Sequence, residues 1–140
     1  NVALAVRRRL GHDGARVLVD VDAALAWVGL AERADQMAGD LSYGHQRLLE
    51  IAMGLGQRPR LLILDEPTQG LADSEIASFN ELVKSMAGET TILLIEHNMN
   101  VVMEIADHIT VLNFGEILAE GDPQAVRANK AVQAAYLGSG

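Results

Sequence analysis

The chain has 140 residues, 49% of them hydrophobic and 21% charged, with 11 basic and 19 acidic side chains for a formal net charge of −8. That is one modest globular domain or a piece of a larger one: it is too apolar for a disordered chain, and its longest apolar stretch, Ala23 to Ala31 with Gly29 inside, is shorter than the roughly 18 residues a membrane span needs. The acidic balance opposes nucleic acid as a partner, and the lack of cysteine removes disulfides, thiolate metal sites and thiol nucleophiles, as suits a reducing cytoplasm.

Val2 to Leu10 is apolar and then basic; its apolar part is too short for a signal peptide, and Arg7-Arg8-Arg9 reads as a solvated face. Gly11-His12-Asp13-Gly14 is a loop signal. Val17, Val21, Ala24, Leu25 and Val28 recur at helical spacing, which predicts an amphipathic helix over Arg16 to Val28 ended by Gly29. A polar link, Glu32 to Asp40, leads to a second helix marked by Leu48, Ile51, Ala52 and Leu55, with Ser42 as its N-cap and its end near Gly56.

The character then changes. Leu61-Leu62-Ile63-Leu64, ended by Asp65-Glu66-Pro67, predicts a strand buried on both faces of a parallel sheet. A helical stripe of Ile76, Phe79, Val83 and Met86 follows, broken by Gly88, and Thr90 to Ile95 predicts a second buried strand. Met99, Val102, Met103 and Ala106 form another stripe before a strand over Ile109 to Leu112. Strand and helix in alternation imply right-handed crossovers and an α/β core. Asn113-Phe114-Gly115 predicts a hairpin turn into Glu116 to Glu120, and Pro123 opens a short polar helix.

Ligands of an open parallel sheet sit beyond the carboxyl ends of its strands, where Asp65 and Glu66 emerge. Two adjacent carboxylates there suit a magnesium nucleotide site, one holding the hydrated ion and the other orienting the attacking water; the plainer reading is an aspartate capping the turn before Pro67. The second strand ends in Glu96-His97, so the imidazole would project from the same edge and donate to a terminal phosphate. Ser42 and Gly44 open a helix whose exposed N–H groups suit a phosphate, though capping alone also explains them. Gly70-Leu71-Ala72-Asp73 reads as a turn with Asp73 capping the next helix.

Taken in this order, these pieces closely resemble the C-terminal half of an ABC-type ATPase domain, a P-loop NTPase core of RecA-like fold with part of its helical signature subdomain. Leu41 to Gln46 matches the signature loop, Leu61 to Glu66 the Walker B strand and catalytic glutamate, Gly70 to Asp73 the D-loop, and His97 the switch histidine. Leu49-Glu50-Ile51-Ala52, Ile92 to Met99 and Ala135-Tyr136-Leu137-Gly138 resemble the ATP-binding subunits of branched-chain or hydrophobic amino-acid importers. The resemblance implies that residues 1–57 form the helical subdomain, 58–121 the half core and 122–140 a helical tail. It further implies ATP and Mg²⁺ as ligands, with Asp65 at the metal, Glu66 as general base and His97 at the γ-phosphate. Ser42, Gly44 and His45 would meet nucleotide held by a partner ATPase subunit across a homo- or heterodimer, with Asp73 at the same seam. The other implied partners are transmembrane permease subunits on the cytoplasmic face of the membrane and, indirectly, an external substrate-binding protein.

The chain departs from the family pattern at Tyr43, where many members have Gly, at His45, where Gln is usual, and at Ala72-Asp73, where Asn-Pro is common. The P-loop pattern needs a lysine straight after glycine, but the two lysines, Lys84 and Lys130, follow Val83 and Asn129. The upstream aromatic that stacks on adenine and the glutamine-bearing loop are likewise missing. The expectation is therefore a portion of an ATP-hydrolysing importer subunit, inactive by itself. The alternatives are a truncated non-catalytic module lending its signature loop to a complete ATPase, a urea or amide importer ATPase, or an ABC ATPase outside transport.

Overall fold

The basic run closes a helix. In the computed structural model, which describes residues 2–10 and 14–137, helix α1 covers Val2–Leu10 and carries Arg7, Arg8 and Arg9 in its last turn, at the negative end of the helix dipole. Of the expected loop Gly11 to Gly14, residues 11–13 lie outside the described residues, as do residues 138–140, whereas Gly14 is the first residue of the next helix. The chain divides into two compact units, Asn1–Ile95 and Glu96–Gly140.

In the first unit, helix α2 runs Gly14–Trp27 and stops before Gly29, whose φ of +71° a side chain would strain. Two 3₁₀ turns, Ala31–Arg33 and Ala38–Asp40, occupy the polar link and lead to helix α3, Tyr43–Leu55. The three helices pack on one another through an apolar core that includes Val6, Val17, Leu25, Leu48, Ile51 and Leu55. A Cβ at Gly56 would stand 2.8 Å from Val6 Cγ2, so this glycine lets α1 approach the end of α3. Asp20 ties the same corner by pairing with both Arg9 and, at 3.0 Å, Arg58.

Strand β1 (Leu61–Asp65) leads through helix α4 (Asp73–Ser85) to strand β2 (Thr91–Ile95), and the strands pair in parallel with Leu61 opposite Thr91 and Asp65 opposite Ile95. Phe79, Leu82, Val83 and Met86 form the buried side of α4 and its end, with Phe79 fully enclosed. The expectation of strands buried on both faces is corrected here. Leu61, Ile63, Leu93 and Ile95 are each half or more exposed while Leu64 is buried, because β1 and β2 form a two-stranded sheet and only one face is covered.

The second unit holds helix α5 (Met99–Ile105), strands β3 (Ile109–Asn113) and β4 (Glu116–Gly121), helix α6 (Pro123–Ala128) and closing helical turns over residues 130–137. Within this unit β3 pairs antiparallel with β4, so the strand–helix alternation ends in a hairpin. The expected turn is present, with Phe114 and Gly115 at φ +48° and +83°, the signs a two-residue hairpin of matching twist requires. Ile109, Val111, Val126 and Val132 make the core, against which the stripe of Met99, Val102, Met103 and Ala106 packs. The Tyr136 hydroxyl donates to Leu112 O at 2.6 Å. Asp122 caps α6 by accepting from Ala125 N–H at 2.8 Å, with Pro123 in the first turn as expected. Among the described residues no helix is long and apolar enough to cross a membrane.

Candidate functional site

Three segments of the first unit carry the expected chemistry, beginning with the loop that opens α3. Ser42 is its N-cap, and the hydroxyl accepts from the His45 backbone N–H at 3.3 Å. The same hydroxyl lies 2.8 Å from His45 Nδ1, so the histidine braces it through both backbone and ring. Gln46 Nε2 donates to Leu41 O at 3.0 Å, closing the loop from the other side. The first-turn N–H groups are thus held at the positive end of the α3 dipole. One turn on, a 2.7 Å hydrogen bond to Glu50 raises the Arg47 guanidinium above its ordinary pKa.

This loop is packed against the segment after β1. Gly44 is buried, and a Cβ there would fall on the Glu75 carboxylate, so a side chain at this position would push the end of Glu75 aside. A Cβ on Gly70, which has φ +76°, would stand 3.0 Å from Tyr43 Cε1. Tyr43 therefore lies over the turn at Gly70. Asp73 is exposed and is the first residue of α4; the cap position belongs to Ala72, which corrects the capping role expected of Asp73. The Ala72 N–H is satisfied instead by Glu75 Oε2 at 2.9 Å.

Asp65 ends β1 as an exposed carboxylate, and Glu66 follows it in the left-handed region at φ +44°. The Glu66 N–H donates to Ile95 O at 2.8 Å, extending the parallel ladder one residue beyond the strand. A non-glycine residue in this conformation costs about 1–2 kcal/mol, and such strain concentrates where a side chain is aimed for chemistry.

His97 belongs to the second unit, two residues beyond the end of β2. Its side chain is 66% exposed, whereas that of Glu96 is wholly buried. Glu96 Oε1 accepts from the backbone N–H groups of His97 at 2.9 Å and Asn98 at 3.1 Å, and lies 3.5 Å from His97 Nδ1. Asn98 caps α5 by accepting from Asn100 N–H at 3.2 Å.

The structure thus sets Tyr43 and Gly44 against Gly70 and Glu75 of the segment that carries Asp73, with Ser42 and His45 bonded to each other beside them, places Asp65 and Glu66 at one strand end, and sets His97 in the second unit. Sequence reasoning missed Glu75, Glu96 and the strain at Glu66. The spacing of Glu75 three residues after the cap position, and of Glu96 directly before the histidine, were the available signals. Among the described residues no three His, Asp or Glu side chains converge as a dedicated metal cage. That fits Mg²⁺, which takes one or two carboxylates and keeps waters and phosphates as its other ligands, and Asp65 has the exposed carboxylate for it.

Two segments of the chain match known protein families. Residues 4–69 match the sequence profile described as "ABC transporter", and residues 116–140 match that of the "Branched-chain amino acid ATP-binding cassette transporter". The chain is 49% identical over 113 residues to the high-affinity branched-chain amino acid transport ATP-binding protein BraF of Pseudomonas aeruginosa, covering 79% of this chain and 44% of that protein. Against LivG of Escherichia coli, of the same description, it is 46% identical over 123 residues, covering 84% and 48%. The solved structure of MJ1267, an ATP-binding cassette of an ABC transporter, superposes with a TM-score of 0.77 at 29% identity, covering 86% of this chain and 50% of that one. The chain spans about half the length of the curated relatives it matches. The chain thus carries ABC transporter sequence over residues 4–69 and branched-chain amino acid ATP-binding cassette transporter sequence over residues 116–140.

Proposed function

We propose that this chain is part of the ATP-hydrolysing subunit of an ABC importer for branched-chain amino acids. The observation that carries the reading is the pair Asp65-Glu66 at the end of β1, with Glu66 held at φ +44° beside an aspartate at the open end of a parallel strand. The amino-acid class is supported by the match of residues 116–140 and by the relatives' names.

In this reading the Glu66 carboxylate orients the attacking water and takes its proton. Asp65 holds Mg²⁺ through water, and the ion when bound supplies positive charge to the β- and γ-phosphates. The His97 imidazole donates to the γ-phosphate as charge develops there. The Ser42 hydroxyl and the N–H groups of Gly44 and His45 bind phosphate of a nucleotide held by a second ATPase subunit, with Asp73 at the seam. The lysine grip on the phosphates comes from the part of the relatives that this chain does not span, so these 140 residues alone hydrolyse no ATP above background. The subunit docks on transmembrane permease subunits at the cytoplasmic face of the membrane, and an external substrate-binding protein delivers the amino acid.

The test is Glu66→Gln in the full-length subunit. Hydrolysis falls by about 10²- to 10³-fold while ATP binding persists and the nucleotide-bound dimer accumulates, as seen by size-exclusion chromatography. Turnover at the wild-type rate would remove Glu66 from the chemistry. Uptake of labelled leucine, isoleucine and valine, restored by the full-length gene in a strain lacking it, checks the substrate class, and uptake of urea in their place would overturn it.

A further inference from the structure

A carboxyl group withdrawn from water is costly unless hydrogen bonds replace its hydration. Glu96 is such a group, with no exposure of its side chain, and the mechanism above does not use it. A turn that needs only a cap is ordinarily served by a short Ser, Thr, Asn or Asp, and Asn98 already caps α5. Glu96 does something else. One oxygen, Oε1, accepts from the backbone N–H of His97 at 2.9 Å and of Asn98 at 3.1 Å, so the main chain on both sides of the His97 Cα is wrapped around it. The same oxygen stands 3.5 Å from Nδ1 of the His97 ring, while that ring is 66% exposed.

We propose that Glu96 is the positioning residue of His97: it fixes the backbone at the histidine, faces the Nδ1 edge of the ring, and so assigns Nε2 to the terminal phosphate. The inference rests on the reading of His97 as the γ-phosphate contact. Its chemical logic is that of an orienting carboxylate behind a working imidazole, where one ring nitrogen is held so that the other is aimed. Glu96 touches neither substrate nor metal in this arrangement and acts only through His97.

The experiment uses the full-length subunit and measures kcat and KM for ATP in Glu96→Ala, Glu96→Gln, His97→Ala and the double variant. Glu96→Ala is expected to lower kcat about tenfold with KM changed less than about twofold, because misaiming a group that works in the transition state spares ground-state binding. Glu96→Gln, whose amide oxygen accepts the same two N–H groups, recovers most of that loss. In the His97→Ala background Glu96→Ala has no further effect, since the two residues act as one unit. Should Glu96→Ala not fold, Glu96→Met serves in its place: it keeps the length of the side chain but has no oxygen to accept from either N–H group, and it lowers kcat several-fold. Wild-type kcat in these variants, a loss that appears only in KM, or a loss that multiplies with that of His97→Ala would overturn the proposal. If His97→Ala itself turned over at the wild-type rate, the reading of His97 would fall and the proposal with it, so the two failures are told apart by the single histidine variant.

Discussion

Glu66 and Glu96 occupy equivalent places in the chain, each the first residue after one of two paired parallel strands, yet the fold treats them in opposite ways. Glu66 sits in a strained left-handed conformation with its N–H bonded to Ile95 O. Glu96 has its carboxylate fully buried and spent on two backbone N–H groups. On the proposed function, strain at the first aims a side chain for work on a substrate, while satisfaction at the second removes a side chain from the reaction and uses it as a mount. Residue type and position along a strand would not then distinguish a reacting carboxylate from a supporting one, but hydrogen-bond partners and backbone angles would.

The comparison breaks most sharply on turnover. Glu66→Gln should abolish nearly all hydrolysis in the full-length subunit without loss of folding, whereas Glu96→Gln should retain most of it; equal effects in a steady-state ATPase assay would erase the distinction. Stability is the next largest difference. Glu96→Ala leaves two N–H groups without their acceptor and should cost about 1–3 kcal/mol in denaturant unfolding. Glu75 offers an intermediate case, because Glu75→Ala frees only the Ala72 N–H and should cost about 1 kcal/mol, read as a shift in the unfolding midpoint. Smallest of all, Glu66→Gly relieves the left-handed strain and should leave stability within about 1 kcal/mol of the parent while removing the carboxylate proposed to activate water. A large destabilisation by Glu66→Gly would mean that the side chain, and not the backbone, holds that turn.

Much of this was legible in the residues. The α2 and α3 stripes, the Ser42 cap, the β1 and β2 runs and the Phe114-Gly115 turn follow from local spacing and turn chemistry, and the chemical motifs follow from their order. The uniform run Leu61-Leu62-Ile63-Leu64 has no polar face, so nothing in it says which side chains meet solvent; that depends on what lies over the sheet. Alternation of strand and helix likewise does not announce a strand that turns back, as β3 does to pair antiparallel with β4 across a tight turn. Helix α1 escaped notice because its apolar start and basic end carry no cap signal. Glu75 and Glu96 were hidden for another reason. Their roles depend on where a long flexible side chain folds back, onto Gly44 in one case and onto the following turn in the other.

Phe114 stands at the tip of the β3–β4 hairpin, fully exposed and at φ +48°. Because the chain has no cysteine, Phe114→Cys would place a single thiol among these 140 residues on a rigid two-residue turn clear of the strand faces. A spin label or fluorophore attached there would report motion of the hairpin alone, giving the second unit a spectroscopic address that leaves the strand ends and their carboxylates untouched.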